Sequence, residues 1–219
     1  MGEEIDLLVN YPRAKRDVDG RGATKTEEDR ATARLFGREF FDGDRRTGYG
    51  GFSYHPRFWQ PTIPVLQKHF GLTSASSVLD VGCAKGFMLY DLSTLIPGIE
   101  VQGVDISSYA IEHAIDSMRP FVQVADARSL PFAERSFDVV ISINTIHNLE
   151  LDGVKQSLRE IERVKHHGAF VTVDAYRTVE EQRRMTDWNL TARTILSVDD
   201  WKQLFDEVGY TGDYYWFIP

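Results

Sequence analysis

Residues 77–218 alternate short apolar segments with amphipathic ones, and this alternation constrains the fold more strongly than any other feature of the chain. The apolar segments indicate buried strands at Val78–Val81, Val101–Val104, Val122–Ala125, Phe137–Ile143, Ala169–Val173 and Tyr214–Ile218. Between them, apolar residues recur at helical spacing over residues 87–96, 108–118, 152–164 and 198–208. The pattern predicts an α/β fold, a doubly wound, mostly parallel sheet with helices on both faces.

Residues 1–72 precede this pattern and differ from it. Up to residue 25 the chain is polar and charged, which favours irregular structure. Thr26 and the acids after it indicate a helix start. Four apolar residues at helical spacing then predict one buried face: Leu35, Phe36, Phe40 and Phe41. A glycine-rich aromatic loop spans residues 48–55, and a short helix is predicted from Pro61 to Phe70, with Gly71 ending it.

Charge and cysteine content narrow the setting in which the chain works. Its formal net charge of −8 argues against a nucleic-acid partner, because polyanion binding needs clustered lysine and arginine. The single cysteine, Cys83, excludes an internal disulfide and suits a reducing compartment. No apolar run has the length of a membrane span. We therefore expect a cytoplasmic protein without membrane association.

The turn after the first predicted strand is the most informative motif for function. Gly82 and Gly86 let the backbone bend tightly and approach a ligand with no Cβ in the way, and Asp80 precedes them. The next two predicted strands each end in an acid followed by an apolar residue, Asp105-Ile106 and Asp126-Ala127. Carboxylates at these strand tips suit the diol of a ribose and the exocyclic amine of an adenine.

Taken in order, these motifs resemble those of class I S-adenosylmethionine-dependent methyltransferases over residues 77–210. The Gly-x-x-x-Gly spacing differs from the G-x-G-x-x-G of nicotinamide-binding domains. The resemblance implies S-adenosylmethionine as cofactor and S-adenosylhomocysteine as product. It assigns cofactor contacts to the glycine turn, the next two strand tips and the end of the fourth strand: Asp80, Gly82, Cys83, Ala84, Gly86, Asp105, Ile106, Asp126, Ala127 and Asn144.

In this family the segment before the first strand folds over the pocket. The resemblance therefore divides the chain into an N-terminal arm and helical lid, residues 1–72, and a cofactor-binding domain, residues 73–219. Residues 40–51 also resemble methyltransferases of sugar and surface-polysaccharide pathways.

The chain departs from the family pattern at two places. Ala84 stands where the family usually has glycine, and we expect its methyl group to weaken cofactor binding only modestly if φ there is negative. After Gly209 only one strand's length of chain remains, where the family usually has a hairpin. The sheet therefore lacks an edge strand, or the N-terminal arm or a second subunit of a homodimer covers that edge.

Three residues are candidates for catalysis. His147 follows the fourth strand, where substrate and cofactor should meet, and its side chain suits a general base near neutral pH. The alternative is a histidine that only stabilises the turn. Asp174, after the fifth strand, suits a base, a hydrogen-bond acceptor for substrate or a helix cap. His55 lies in the glycine-rich loop, which closes on the substrate if it acts as a lid.

Aromatic residues are the candidates for substrate contact, and no metal is expected. Tyr49, Tyr54 and Trp188 are assigned to substrate, although each also suits the core. No zinc-like spacing of cysteine and histidine occurs. Asn144 and Asp174 alone form a poor ligand set for magnesium. The adjacent His166 and His167 are predicted to be solvated loop residues.

The sequence thus predicts methyl transfer to an oxygen or nitrogen of a small polar molecule, such as a sugar or nucleotide-sugar intermediate. The alternative is a catalytically silent cofactor-binding or partner subunit that keeps the fold. A nicotinamide-dependent reductase is disfavoured by the glycine spacing.

Overall fold

The computed structural model describes residues 2–13, 18–50 and 52–219, so Gly51 of the glycine-rich loop lies outside the described residues. Seven strands occur within these ranges: β1 Ser77–Val81, β2 Glu100–Asp105, β3 Val122–Val124, β4 Phe137–Ile143, β5 Lys165–Tyr176, β6 Leu196–Ser197 and β7 Asp213–Phe217. All strand pairs are parallel, in the order β3-β2-β1-β4-β5, with β6 and β7 both pairing with β5. The predicted doubly wound sheet is confirmed.

The described helices are α1 Val18–Thr24, α2 Glu27–Ala33, α3 Arg38–Phe41, α4 Ile63–Phe70, α5 Phe87–Leu95, α6 Ser108–Glu112, α7 Leu151–Val164, α8 Val179–Trp188 and α9 Val198–Val208. None of these helices is long and apolar enough to cross a bilayer.

Successive residues of the central strands pack on opposite faces of the sheet, as the pleat of a strand requires. Leu79 and Val140 join the core beneath α7 and α9, whereas Val78, Val139 and Ile141 join the core beneath α4 and α5. Both faces of the sheet are therefore covered, which explains why these strands are mainly apolar.

The N-terminal region differs from its prediction in two respects. Residues 18–24 form α1, where irregular structure was expected, because Val18 is buried against the fold. The predicted helix through residues 35–41 is broken, since Phe36 has a φ of +49° and α3 begins only at residue 38. This turn places Leu35 on the surface, 78% exposed, while Phe40 and Phe41 are buried as predicted.

Several elements of the main sheet match their predicted bounds, and others differ. β5 runs from Lys165 to Tyr176, beyond its predicted bounds of Ala169–Val173, and β6 was not predicted. The helix predicted over residues 108–118 ends at Glu112. The predicted pattern contained no helix at α8, whose residues are largely polar; Thr178 caps it by accepting a hydrogen bond from the Glu181 amide.

The N-terminal arm closes the outer edge of the sheet. Glu4 forms a parallel bridge with Tyr214 of β7; the Ile5 amide donates to the Tyr214 carbonyl at 3.0 Å, and the Tyr214 amide donates to the Glu3 carbonyl at 3.0 Å. Leu7 then buries its side chain in the core beside α4. Of the three arrangements expected for this edge, the arm is the one found, and it satisfies backbone groups that an open edge would expose.

Candidate active site

The carboxyl ends of the parallel strands share one edge of the sheet, and a cleft of about 1530 Å³ opens there. A single bound molecule usually occupies about 300–1,000 Å³, so the cleft has room for a cofactor and a substrate together. The strand tips form its floor, and residues of the N-terminal region form its roof. All but three of the predicted site residues line it; the exceptions are Gly86, Tyr54 and His55.

The turn after β1 is held tightly against β2. The amides of Gly82 and Cys83 both donate to the Val104 carbonyl, at 2.7 and 3.0 Å. Gly82 has a φ of +91°, and a Cβ there would lie 2.1 Å from the Thr145 hydroxyl oxygen, so no other residue fits. Gly86, with a φ of +77°, precedes α5 and closes the turn.

Ala84 adopts a backbone conformation that favours glycine. Its φ is +48°, so the condition for a modest effect, a negative φ, is not met. The left-handed region costs an alanine roughly 1–2 kcal/mol. The turn nevertheless keeps its shape, because the Ala84 amide donates to Oδ2 of Asp105 at 2.8 Å.

Asp105 joins the tips of β1 and β2. Its Oδ2 accepts from the Ala84 amide and its Oδ1 accepts from the Ser107 amide, each at 2.8 Å. Each carboxylate oxygen retains capacity for another hydrogen bond, so a ribose hydroxyl can still be accepted. Ile106, beside it, lines the cleft and is 54% exposed, an apolar surface on which a planar ring can pack.

Asp80 is a buried acid in the cleft wall with no partner. Its side chain is almost inaccessible, and within the described residues its carboxylate accepts no hydrogen bond and meets no cation. Burial, followed by the nearby charge of Asp105, raises the pKa of Asp80 to about 8. A cationic ligand group beside Asp80 would supply the missing partner, and S-adenosylmethionine carries an ammonium and a sulfonium. The donor set therefore fits this cofactor.

Asp126 is held by an arginine that the sequence reasoning missed. Arg128 donates from Nε to Oδ1 at 2.9 Å and from a terminal nitrogen to Oδ2 at 2.5 Å. This pairing keeps the pKa of Asp126 below its usual range. Asp126, Ala127 and Arg128 all line the cleft, so an adenine amine would share the carboxylate with the guanidinium.

Asn144 ends β4 at the floor of the cleft. Its φ is +51°, and its side-chain oxygen accepts from the Thr172 hydroxyl at 2.9 Å. The left-handed turn directs the chain from β4 into the short helical turn of residues 146–148, which carries His147.

His147 is buried, and its ring makes a defined pair of contacts. Its Nδ1 accepts from the Asp174 amide at 3.0 Å, so in the neutral ring the proton resides on Nε2, 3.7 Å from the Asp174 carboxylate. Burial lowers the pKa of His147 to about 3. In this arrangement His147 has no lone pair with which to take a proton from a substrate.

Asp174 occupies the end of the cleft next to His147. Its backbone is fixed from two sides, since its amide donates to His147 and its carbonyl accepts from Trp201 Nε1 at 2.9 Å. The carboxylate is buried and lines the cleft. Asp174 is not a helix cap, because α8 begins five residues after it, at Val179, with Thr178 as its cap.

The aromatic candidates separate into two groups. Tyr49 and Trp188 line the cleft with stacked rings 6.0 Å apart, and the Tyr49 hydroxyl accepts from the Leu190 amide at 2.9 Å. Tyr54 lies outside the cleft and donates to Oδ1 of the buried Asp91 at 2.8 Å, which makes it a structural residue. His55 is exposed and outside the cleft as well, its Nδ1 accepting from the Arg57 amide.

A second interaction missed from the sequence fixes the roof to the cofactor turn. Lys85 donates to Oδ1 of Asp42 at 2.6 Å, and the Tyr109 hydroxyl donates to Oδ2 of the same carboxylate at 2.6 Å. Lys85 is buried, so this ion pair is partly shielded from solvent. Asp42 therefore joins the N-terminal roof of the cleft to the glycine turn.

The adjacent histidines are not in a loop. His166 and His167 begin β5, where a register shift places both opposite Asp138 of β4. Their ring nitrogens and an Asp138 oxygen lie within 4.8 Å of one another. A β-bulge explains how consecutive residues share one face. The group lies at the amino end of the strands, away from the cleft, so it has no part in chemistry there.

Comparison with known proteins agrees with this geometry. The family profile described as "Methyltransferase domain" matches residues 78–168. YcgJ of Bacillus subtilis, an uncharacterized methyltransferase, is 29% identical over 161 residues, which cover 65% of this chain and 60% of YcgJ. A protein of Haemophilus influenzae is 30% identical over 154 residues, 64% of this chain and 60% of that one. The chain thus spans about three fifths of the length of these relatives.

Solved structures show the same fold. The crystal structure of B. subtilis YcgJ superposes with a TM-score of 0.55 at 22% identity, covering 67% of this chain and 66% of YcgJ. The [4+2]-cyclase SpnF superposes with a TM-score of 0.57 at 19% identity, covering 91% of this chain and 74% of SpnF. Residues 78–168 match the methyltransferase-domain profile, and the chain has the Rossmann-like fold of class I S-adenosylmethionine-dependent methyltransferases.

Proposed function

We propose that the chain binds S-adenosylmethionine in the cleft and transfers its methyl group to an oxygen or nitrogen of a small polar acceptor. One observation carries the proposal: Asp80, Asp105 and Asp126 lie at the carboxyl ends of three different strands and line one cleft beside the glycine turn, and Asp80 has no partner among the described residues. An unpaired, buried acid is costly, and such cost is typical of a site built for a ligand.

The cofactor, when bound, supplies an electrophilic methyl carbon on a sulfonium. Asp80 and the backbone of residues 82–86 would hold its methionine part. Asp105 would accept from the ribose, and Ile106 with Asp126 would receive the adenine. Asp105 is fixed by two backbone amides and Asp126 by an ion pair, so the part of the site that would receive the nucleoside is formed before ligand arrives.

The acceptor would lie at the other end of the cleft, near Tyr49, Trp188 and Asp174. In this proposal the Asp174 carboxylate would take the proton from the acceptor's oxygen or nitrogen. The cofactor would supply the methyl group and leave as S-adenosylhomocysteine. His147 is a positioning residue: its Nε2–H faces the carboxylate, and its Nδ1 fixes the Asp174 backbone. Tyr49 and Trp188 would exclude water from the reacting atoms.

Calorimetric titration with S-adenosylhomocysteine and S-adenosylmethionine tests the cofactor site. We expect one site in the wild-type chain and at least tenfold weaker S-adenosylmethionine binding in Asp80→Asn, because a charge-assisted contact contributes about 1.5–3 kcal/mol. Asp206→Asn removes an exposed acid outside the cleft and should bind like wild type. Equal affinities in all three proteins would contradict the assignment.

A cofactor-binding protein that does not methylate is a second candidate, favoured by two observations. His147 has no free lone pair, and SpnF, a cyclase by its description, shares the fold. Methyl transfer from labelled S-adenosylmethionine to a panel of small polar metabolites separates the two. Tight cofactor binding with no labelled product from any acceptor would favour the second candidate.

We extend the proposal to the setting of the reaction. The chain would work in the cytoplasm, as its single cysteine suggests, without nucleic-acid or membrane partners. A homodimer is not needed to close the sheet, since the N-terminal arm covers β7. Sedimentation of the purified chain tests its oligomeric state.

A further inference from the structure

The charge of the cleft is opposite to that of the whole chain. The formal net charge is −8, yet eight basic residues line the cleft against four acids. The basic residues are Arg13, Lys25, Arg34, Arg45, Arg46, Arg57, Arg128 and Arg193. The acids are Asp80, Asp105, Asp126 and Asp174.

The two charge types occupy different parts of the cleft. Each acid lies near the carboxyl end of a strand or just after it, on the floor of the cleft. Asp80, Asp105 and Asp126 lie where the cofactor is proposed to bind, and Asp174 lies where the acceptor is proposed to bind. Six of the eight basic residues come from residues 13–57, the roof. That region also contains several acids, among them Glu27, Asp42 and Asp44, but none of its described acids lines the cleft. The roof therefore presents only positive side-chain charge to the space below it.

Three of the roof arginines have no acidic partner among the described residues. Arg13 pairs with Asp6 and Arg46 pairs with Asp29, but Arg34, Arg45 and Arg57 form no ion pair. The distinction matters because an arginine already paired with an acid offers less net attraction to a ligand.

Arg34 carries the sharpest signal of a missing ligand. Its Nε is buried and has no hydrogen-bond partner. Buried donors are almost always satisfied, so the orphaned nitrogen shows that the described residues do not use the full hydrogen-bonding capacity of the Arg34 guanidinium, which lines the cleft. Arginine presents its donors in a planar fork that matches the oxygens of carboxylates and phosphates.

We propose that the acceptor substrate is a polyanion of the phosphate-ester or diphosphate class, held under the roof by Arg34, Arg45 and Arg57. This rests on the proposed function, since it names the substrate class of the same cleft. A phosphate group brings about two charges and three acceptor oxygens. A monocarboxylate, with one charge and two oxygens, would leave part of three guanidinium groups unmatched.

The test is calorimetric titration of inorganic pyrophosphate into the full chain, with and without saturating S-adenosylhomocysteine. We expect Arg34→Gln and Arg57→Gln each to weaken pyrophosphate binding about tenfold or more, as expected for loss of a charge-assisted contact. Arg34→Lys should restore part of the affinity by keeping the charge. Arg159→Gln, an exposed and unpaired arginine of α7 outside the cleft, is the matched control and should bind like wild type.

Further arms distinguish the outcomes. Pyrophosphate binding that is absent, or equal in Arg34→Gln and Arg159→Gln, overturns the proposal. Citrate binding as tight as pyrophosphate, with the same dependence on Arg34, overturns its phosphate part. The proposed function is tested separately by titration with S-adenosylhomocysteine, whose affinity should be the same in Arg34→Gln and in wild type. If the wild-type chain binds pyrophosphate but does not bind S-adenosylhomocysteine, the proposed methyltransferase function is refuted and the anion site stands. Melting temperatures show that each variant is folded.

Discussion

Replacing Asp80 with asparagine should stabilise the fold while it weakens the cofactor site. Asparagine has nearly the shape of a protonated aspartic acid but cannot ionise. Asp80 is buried with no cation beside it, so its ionised form is the unfavourable one. The substitution removes the ionised carboxylate. It therefore also removes the free-energy cost of burying that charge, which otherwise only a cationic ligand would offset.

The magnitude follows from the shift in pKa. Asp80 has a pKa of about 8 in the fold, against a model-compound value of 3.8. As pH rises, the unfolded chain releases this proton first, so stability is lost between pH 3.8 and 8 and is constant above that. At pH 7 the loss is about 4 kcal/mol, from roughly 1.4 kcal/mol per pH unit. For a chain of this size that is a difference of roughly 8–16 °C in melting temperature.

Urea unfolding of wild type and Asp80→Asn from pH 4 to pH 8.5 provides the assay. The free energies of unfolding should coincide near pH 4 and diverge steadily up to pH 8, with the variant more stable. Asp206→Asn should follow wild type throughout. In parallel, S-adenosylmethionine affinity of wild type should rise with pH up to about pH 8, because binding requires ionised Asp80. A difference between wild type and Asp80→Asn that does not change with pH would refute this reasoning.

Four further predictions concern other residues. Ala84→Gly should stabilise the chain by about 0.5–1 kcal/mol in urea, since glycine adopts a φ of +48° without strain; no gain would mean the turn is unstrained. Tyr54→Phe should cost about 1.5–3 kcal/mol in the same assay, because Asp91 loses a donor, yet leave S-adenosylhomocysteine affinity unchanged; weaker binding would place Tyr54 in the site after all. His147→Gln should lose less stability than wild type as pH falls from 6.5 to 4, because neutral His147 must take up a proton on unfolding; equal acid sensitivity would contradict its pKa of about 3. His55→Ala should retain wild-type cofactor affinity in calorimetry, as its ring is outside the cleft, and a tenfold loss would refute that placement.

The apolar spacing of strands and helices, and the acids near the strand ends, can be predicted from the sequence because they depend on neighbouring residues along the chain. β4 and α9 have their predicted bounds, and Asp80, Asp105 and Asp126 reach one cleft because parallel strands end at one edge. Turns that need an unusual backbone conformation are harder to predict from the sequence. The break at Phe36 requires a positive φ that its side chain does not signal.

Features set by tertiary contact are not available from the sequence. The pairing of Asp42 with Lys85 joins residues 43 positions apart, and nothing local marks either one. The hydrogen bond that occupies Nδ1 of His147 comes from a backbone amide, which any residue at position 174 would supply. The bulge that brings His166 and His167 to one face depends on the register between two strands.

The central claim is that this cleft binds the adenosyl cofactor. Titration of wild-type chain with S-adenosylhomocysteine at pH 8, with NADH as the comparison ligand, tests it most directly. The account predicts saturable binding of S-adenosylhomocysteine at one site per chain and none of NADH. Absence of S-adenosylhomocysteine binding at millimolar concentration, in protein shown to be folded by its melting transition, would contradict it.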